Sequence, residues 1–148
     1  MYKHILVSTD GTKLSGKAIR TAVRLAAATG GKLTGVYVVA PFVAPAYGEG
    51  VMYLPAISPA RYKQISEREA RKALAAVEIE ARTGGVTCSS TVLTADSPWE
   101  GIIRAAKAKR ADLIVMASHG RRGIASMILG SETTKVLTHS KIPVLVCR

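Results

Sequence analysis

Residues 112–133 read Asp-Leu-Ile-Val-Met-Ala-Ser-His-Gly-Arg-Arg-Gly-Ile-Ala-Ser-Met-Ile-Leu-Gly-Ser-Glu-Thr and decide the predicted fold. Leu113 to Ala117 form an unbroken apolar run, which is typical of a strand buried on both faces of a parallel sheet. A loop rich in glycine and arginine follows, and Gly130-Ser131 opens a predicted helix. Open α/β sheets bind ligands at the carboxyl ends of their strands. Glycines, arginines and a helix start there indicate an anion site, above all for phosphate.

Strands and helices alternate along the rest of the chain. The predicted strands are 3–9, 32–39, 86–93, 113–117 and 142–147, and the predicted helices begin near residues 12, 60, 98 and 131. This order predicts one α/β domain over 1–148, a three-layer α/β/α sandwich around a five-stranded parallel sheet. The third strand alternates as an edge strand does, and the first and fourth should lie side by side where the strand order reverses.

Two further stretches of sequence are informative, one at a predicted helix start and one between predicted elements. Ser97-Pro98-Trp99-Glu100 predicts a helix start with Ser97 as the N-cap and Glu100 closing a capping box. The stretch 41–59 is rich in proline and has no periodicity. A stretch of that length favours a lid, a partner surface or a mobile loop, and the sequence leaves these three open.

Composition narrows the class of protein. No run of about 18 apolar residues is present, so we expect no membrane span. The amino terminus enters a strand without the apolar segment of a signal peptide. Cys88 and Cys147 show neither metal-binding nor redox spacing and are interpreted as small core residues in a reducing compartment. We therefore expect a cytoplasmic protein.

The charge is strongly basic. The chain holds 21 lysines and arginines against 10 aspartates and glutamates, a net charge of +11. Such a balance is compatible with binding to nucleic acid or to other polyanions. The basic residues are spread over several predicted helices, however, and no aromatic residues interleave with them as stacking platforms. We favour solvated helix faces over a nucleic-acid surface and keep polyanion binding as an alternative.

Three candidate motifs each have a competing interpretation. Residues 11–18 almost match a P-loop, but Ala18 stands where the chemistry needs a hydroxyl on Mg²⁺. His119 is interpreted as a hydrogen-bonding partner of phosphate or backbone rather than as a general base. Asp10 either accepts hydrogen bonds from a base or ribose or closes an Asx turn. We predict no catalytic residue and no metal ligand from the sequence.

The chain resembles the universal stress protein family along essentially its whole length. The most specific part is Ala117-Ser-His-Gly120, then nine residues, then Gly130-Ser131. The branch of the family that binds ATP or AMP carries Gly, two residues, Gly, nine residues, Gly-Ser/Thr at this place. In this chain Ala117 replaces the first glycine of that pattern. The open question is whether its methyl group leaves room for the ribose and phosphates. Asp96 departs from a glycine common in the family, in a loop.

The resemblance implies a Rossmann-like fold and an adenine nucleotide, ATP or AMP, with or without Mg²⁺. Asp10, Val38 and Met116 would contact the adenine end. The remaining implied nucleotide contacts are Thr9, Ala117, His119, Gly120, Arg121, Arg122, Gly123, Gly130, Ser131, Glu132 and Thr133.

The resemblance also implies a homodimer through the last strand, with Val144, Leu145 and Val146 at the interface. The implied function is a dimeric stress sensor or adaptor that hydrolyses ATP slowly at most. Two alternatives stay open. One is an interaction module with an empty nucleotide site that binds a protein partner through 41–59, and the other is the polyanion-binding protein.

Overall fold

The structure is a computed structural model that describes residues 1–44, 57–120 and 129–148. In these residues strands and helices alternate as the sequence predicts. The elements are β1 (His4–Ser8), α1 (Lys13–Thr29), β2 (Lys32–Val39), α2 (Pro59–Thr83), β3 (Cys88–Thr94), α3 (Pro98–Lys109), β4 (Leu113–Ala117), α4 (Ser131–His139) and β5 (Val144–Cys147).

The five strands form one parallel sheet with the order β3-β2-β1-β4-β5. The predicted pairing of β1 with β4 is confirmed, with Leu6 opposite Ile114. The strand order therefore reverses between these two strands, and β3 and β5 form the edges. This arrangement confirms the predicted α/β fold and puts the ligand-binding position of such sheets at the carboxyl ends of β1 and β4.

Successive strand residues point to opposite faces of the sheet and feed two cores. Ile5 and Val7 of β1 pack with residues of α1 and α2 on one face. Leu6 of β1 and Met116 of β4 pack with residues of α3 and α4 on the other. The two helical layers explain why β4 is apolar at every position, because both of its faces are covered.

The sequence-based objection to a P-loop is confirmed, whereas the predicted capping box is wrong. Gly16 lies inside α1, with its amide bonded to the Thr12 carbonyl at 3.3 Å, so residues 11–18 do not form a phosphate-binding loop. Ser97 occupies the predicted N-cap position of α3, but its side chain makes no capping hydrogen bond, so the capping box with Glu100 does not form. The predicted stretch 41–59 has its central part, 45–56, outside the described residues.

The described parts of the chain contain no helix that is both long and apolar enough to cross a membrane.

His4 is a buried histidine of β1 at the amino end of the sheet. Its Nε2 atom lies 2.8 Å from the Thr34 hydroxyl. Burial and the positive charge of Lys32 hold the pKa of His4 below its ordinary value of 6.5, against the opposing pull of Asp112. The folded chain thus binds a proton at His4 less readily than the unfolded chain does.

We expect the free energy of unfolding to fall as the pH drops below about 6.5, because the unfolded state then takes up the proton first. His4→Gln should weaken this pH dependence in urea unfolding measured between pH 7.5 and pH 5. The exposed His139→Gln variant is the control and should keep the wild-type profile. An unchanged profile in His4→Gln would assign the acid sensitivity to other groups.

Candidate functional site

The carboxyl ends of β2, β1 and β4 lie next to one another because these strands are parallel neighbours. The strand order brings together the candidate residues at or just after those ends. They are Thr9, Asp10, Val38, Met116, Ala117, His119 and Gly120. Three further candidates, Arg121, Arg122 and Gly123, lie outside the described residues.

Asp10 closes the turn between β1 and α1. Its Oδ1 atom accepts hydrogen bonds from the Thr12 amide at 3.0 Å, from the Thr12 hydroxyl at 2.7 Å and from the Ser15 hydroxyl. The Thr12 hydroxyl in turn accepts a bond from the Ser15 amide and is the N-cap of α1. The Asx-turn interpretation of Asp10 is confirmed, and a contact with a base or ribose remains a prediction.

Gly120 faces Asp10 across the switch point. A Cβ atom built on Gly120 would lie 3.1 Å from Asp10 Oδ2, closer than most side-chain contacts. The loops that follow β1 and β4 therefore approach each other closely, and glycine at 120 permits this approach.

Gly130 directly precedes α4 and connects its amino terminus to the end of β4. Its amide donates to the Ser118 carbonyl at 2.7 Å. A Cβ atom on Gly130 would meet that carbonyl oxygen at 3.1 Å and the Cα of His119 at 3.4 Å. Gly130 is the N-cap residue and no side chain caps the helix. The first turn of α4 thus presents uncapped amides, with the positive end of its dipole, at the ligand edge of the sheet.

Thr133 fixes the position of α4 through its side chain. Its buried hydroxyl lies 3.0 Å from the carbonyl of Ala117 and 3.1 Å from that of Ser118. The sequence suggested only the amide of Thr133 as a functional group. The hydroxyl contact spans 15 and 16 residues of chain, and no local pattern signals it.

The two ring nitrogens of His119 differ in their hydrogen bonding. Its Nδ1 atom lies 3.1 Å from the Ser118 hydroxyl. Its Nε2 atom is buried and has no hydrogen-bond partner among the described residues. A buried polar atom without a partner costs about 1–3 kcal/mol. A ligand that offers a hydrogen bond to Nε2 would recover that cost.

Ala117 and Met116 point to opposite faces at the end of β4. Ala117 is buried in the core beneath α1, together with Ile5, Val7 and Ala18. Met116 is buried in the core beneath α3 and α4. The methyl group that distinguishes Ala117 from glycine therefore packs into the protein interior.

Val38 lies at the end of β2 and packs against α3. A Cβ atom on Gly101 of α3 would come within 2.7 Å of both methyl groups of Val38. Beside this contact is a cavity of about 260 Å³ at the ends of β2 and β3. It is lined by Tyr37, Val38, Val39, Ala40, Tyr62, Ile65, Ser66, Glu69, Ala95 and Pro98.

Glu132 joins α4 to α3. One carboxylate oxygen accepts a hydrogen bond from the Trp99 amide at 2.8 Å, and the other lies 3.5 Å from Lys135 Nζ. The Trp99 ring stands over His139 of α4, with ring centroids 4.6 Å apart. A carboxylate from α4 thus satisfies an amide in the first turn of α3. Sequence reasoning missed this contact because the two residues are 33 positions apart.

The candidate dimer residues lie on edge strand β5. Leu145 is 37% exposed, and its neighbours Val144 and Val146 are half-buried against the core beneath α3 and α4. Elsewhere, the described residues contain no group of three or more histidine, cysteine, aspartate or glutamate side chains placed to hold a metal ion.

Comparison with known protein families matches residues 1–148 to the universal stress protein family. The chain belongs to this family. A universal stress protein of Thermus aquaticus is 34% identical to it over 149 residues, an alignment that covers 100% of both chains.

Solved universal stress proteins have the same fold. UspA from Lactobacillus plantarum superimposes with a TM-score of 0.77 at 26% identity, covering 99% of this chain and 98% of the other. A universal stress protein in complex with cAMP gives a TM-score of 0.71 at 25% identity, covering 99% of this chain and 97% of that one. The resemblance stated from the sequence is confirmed, and nucleotide binding occurs among the solved relatives.

Proposed function

We propose that this universal stress protein binds an adenine nucleotide, ATP or AMP, at the carboxyl ends of β1 and β4. One observation carries the proposal. The uncapped amino terminus of α4 lies at the switch point, where Gly130 is so close to the end of β4 that a Cβ atom would lie 3.1 Å from the Ser118 carbonyl oxygen. A helix start of this kind binds phosphate through its amides and its dipole.

Each end of the nucleotide has candidate partners. The amides of Ser131, Glu132 and Thr133 take the phosphates, and Gly120 and Gly130 allow the backbone to come close. Asp10, Val38 and Met116 would contact the adenine end, and the remaining proposed contacts are Thr9, Ala117, His119, Arg121, Arg122 and Gly123. Any Mg²⁺ would be held mainly by the phosphates and water.

Two further observations support this assignment. A relative of 25% identity is solved in complex with cAMP, which contains adenine, ribose and phosphate. The net charge of +11 raises the local concentration of anionic ligands such as nucleotides.

The role that follows is that of a nucleotide-responsive sensor or adaptor with slow hydrolysis at most. Efficient hydrolysis needs a group that activates water. His119 is one described candidate, and its Nδ1 faces the Ser118 hydroxyl rather than a carboxylate that would orient it. The free thiols of Cys88 and Cys147 suit a reducing compartment, so we propose the cytoplasm.

The decisive experiment is native mass spectrometry of freshly purified protein, followed by denaturation and identification of any released nucleotide. Co-purified ATP supports the proposal, and ADP or AMP adds evidence for slow hydrolysis. Protein that carries no nucleotide and also fails to take up added ATP overturns it. That result favours the alternative of an interaction module that binds a protein partner.

Ala117→Gly tests whether the departure from the family pattern closes the site. Because the Ala117 methyl packs beneath α1, we expect the affinity for ATP to change less than threefold in calorimetric titration. We also expect a loss of about 1 kcal/mol in stability, from the lost packing and the extra freedom of glycine. A large gain in affinity would instead support an empty site closed by Ala117.

We also propose a homodimer formed through β5, because this edge strand carries the half-exposed Leu145. Leu145→Asp should convert the dimer to a monomer in light scattering coupled to size exclusion, since it places a charge in an apolar interface. Val92→Asp changes a residue of similar exposure on the opposite edge strand, β3, and should leave the dimer intact. Dissociation by the β3 variant alone would move the interface to that edge.

A further inference from the structure

Four basic side chains of α1 form one row on the solvent face of the helix. They are Lys13, Lys17, Arg20 and Arg24, all exposed, and we call them the α1 basic stripe. Residues three or four positions apart share a face of an α-helix, so the four charges lie in line. With a rise of about 1.5 Å per residue, the stripe extends for about 17 Å along the helix axis.

No carboxylate among the described residues forms an ion pair with this stripe. The α1 sequence contains neither aspartate nor glutamate. Two ion pairs between described residues, Lys63 with Glu67 and Lys135 with Glu132, both lie away from α1. The four charges therefore add to one positive field, at the surface of a chain whose net charge is already +11.

The residues around the stripe restrict the kind of partner. Protein interfaces are built on buried apolar and aromatic anchors, and the exposed large hydrophobic residues of this chain all lie outside α1. Single-stranded nucleic acid is held by stacking on aromatic side chains, and α1 contains no aromatic residue. The phosphate backbone of a duplex needs neither feature and is bound by basic side chains alone.

We propose that the α1 basic stripe binds the phosphate backbone of double-stranded nucleic acid without reading its sequence. B-DNA carries one phosphate charge per about 1.7 Å of its helix axis, counting both strands, so the roughly 17 Å covered by the stripe correspond to about ten phosphates, of which those on the facing side can meet the cations. The surface is the outer face of α1, whereas the proposed nucleotide site lies at the carboxyl edge of the sheet. The two proposals are therefore independent, and either can fail without the other.

The test is fluorescence anisotropy with a labelled DNA duplex of mixed sequence, about 20 base pairs long, titrated at several salt concentrations. We expect a dissociation constant between roughly 1 and 100 micromolar near physiological salt. If four phosphates are neutralised, log affinity should fall with log salt with a slope of about −3.6, or roughly a hundredfold between 50 and 200 mM. No binding at the lowest salt would overturn the proposal.

Two variants of equal net charge separate a specific surface from general attraction. The first replaces the four residues of the stripe by glutamine. The second replaces four exposed lysines outside α1 by glutamine, and these are Lys72, Lys107, Lys109 and Lys141. The first should lose binding and most of the salt slope, and the second should retain at least half of the slope. Equal losses in both variants would refute a dedicated surface.

Polyglutamate of matched charge concentration is the competitor that distinguishes phosphate from carboxylate partners. We expect it to displace the duplex at least tenfold less effectively than unlabelled DNA does. Equal displacement would assign the stripe to acidic proteins and overturn the proposal. Thermal unfolding of both variants confirms that each is folded under the conditions of the titration.

Discussion

Gly130→Asp lowers the affinity for ATP at least a hundredfold in our expectation, while the protein remains folded. Gly130 is the N-cap of α4. Aspartate is among the preferred N-cap residues because its carboxylate accepts hydrogen bonds from the amides of the first turn. Those are the amides of Glu132 and Thr133 that we assign to phosphate. The variant would therefore occupy the anion site with its own side chain and repel the phosphates as well.

The size of the effect follows from the bonds that are lost. Hydrogen bonds to a charged group contribute about 1.5–3 kcal/mol each, so two of them correspond to at least a hundredfold in affinity. Stability should change little, because the new cap offsets the tight contact of the Cβ with the Ser118 carbonyl, at 3.1 Å. Isothermal titration calorimetry measures the affinity, and urea unfolding measures the stability.

Two further substitutions at position 130 separate the contributions of capping, charge and steric contact to the loss of ATP affinity. Gly130→Asn can make the same capping bonds without the charge and should show an intermediate loss. Gly130→Ala adds only the methyl group and should show the smallest loss. An aspartate variant that binds ATP like the wild type would place the phosphates away from α4. Equal losses in all three variants would point to steric closure alone.

We expect Gly101→Val to lower the free energy of unfolding by about 3 kcal/mol. Gly101 is buried in α3, and a Cβ there would come within 2.7 Å of both methyl groups of Val38. A β-branched side chain has little rotamer freedom, so Val38 cannot turn aside, and the backbone of α3 or β2 must shift. The midpoint of urea unfolding reports the loss.

Gly16→Val is the matched control, since Gly16 is also a helical glycine. A Cβ at Gly16 meets only the Arg20 guanidinium, at an ordinary 3.5 Å. Valine and glycine differ little in helix propensity, so we expect a change of no more than about 0.5 kcal/mol. In a double-mutant cycle, Val38→Ala should recover at least about 1 kcal/mol of the Gly101→Val loss, because the two side chains then no longer overlap. Full additivity would show that the contact between α3 and β2 is not the cause.

The order of strands and helices followed from local patterns in the chain. The apolar run of β4 and the glycine that ends α1 at Gly30 are each visible within a few residues. Local patterns also predicted the start of α4 at Ser131, next to the glycine at its N-cap. Such signals depend on hydrophobic periodicity and on caps, which act between neighbours in sequence. The parallel sheet and the pairing of β1 with β4 follow from the alternation of these elements.

Contacts at the site joined residues that no local pattern connects. The sequence predicted that Glu100 would close a capping box at α3, but Glu132 of α4 accepts the hydrogen bond from the Trp99 amide. The Thr133 hydroxyl bonds to carbonyls at the end of β4. These bonds depend on how α4 is placed beside α3 and β4, which only the packed structure determines.

The sequence by itself determined the family, the fold and the glycine pattern of the candidate phosphate site, because these are written in residue types and spacings. Only the tertiary structure decided where the departure at Ala117 points. A strand sends alternate side chains to opposite faces, and the layer that covers each face depends on the whole chain. The methyl of Ala117 lies beneath α1 for this reason, while Met116 packs beneath α3 and α4.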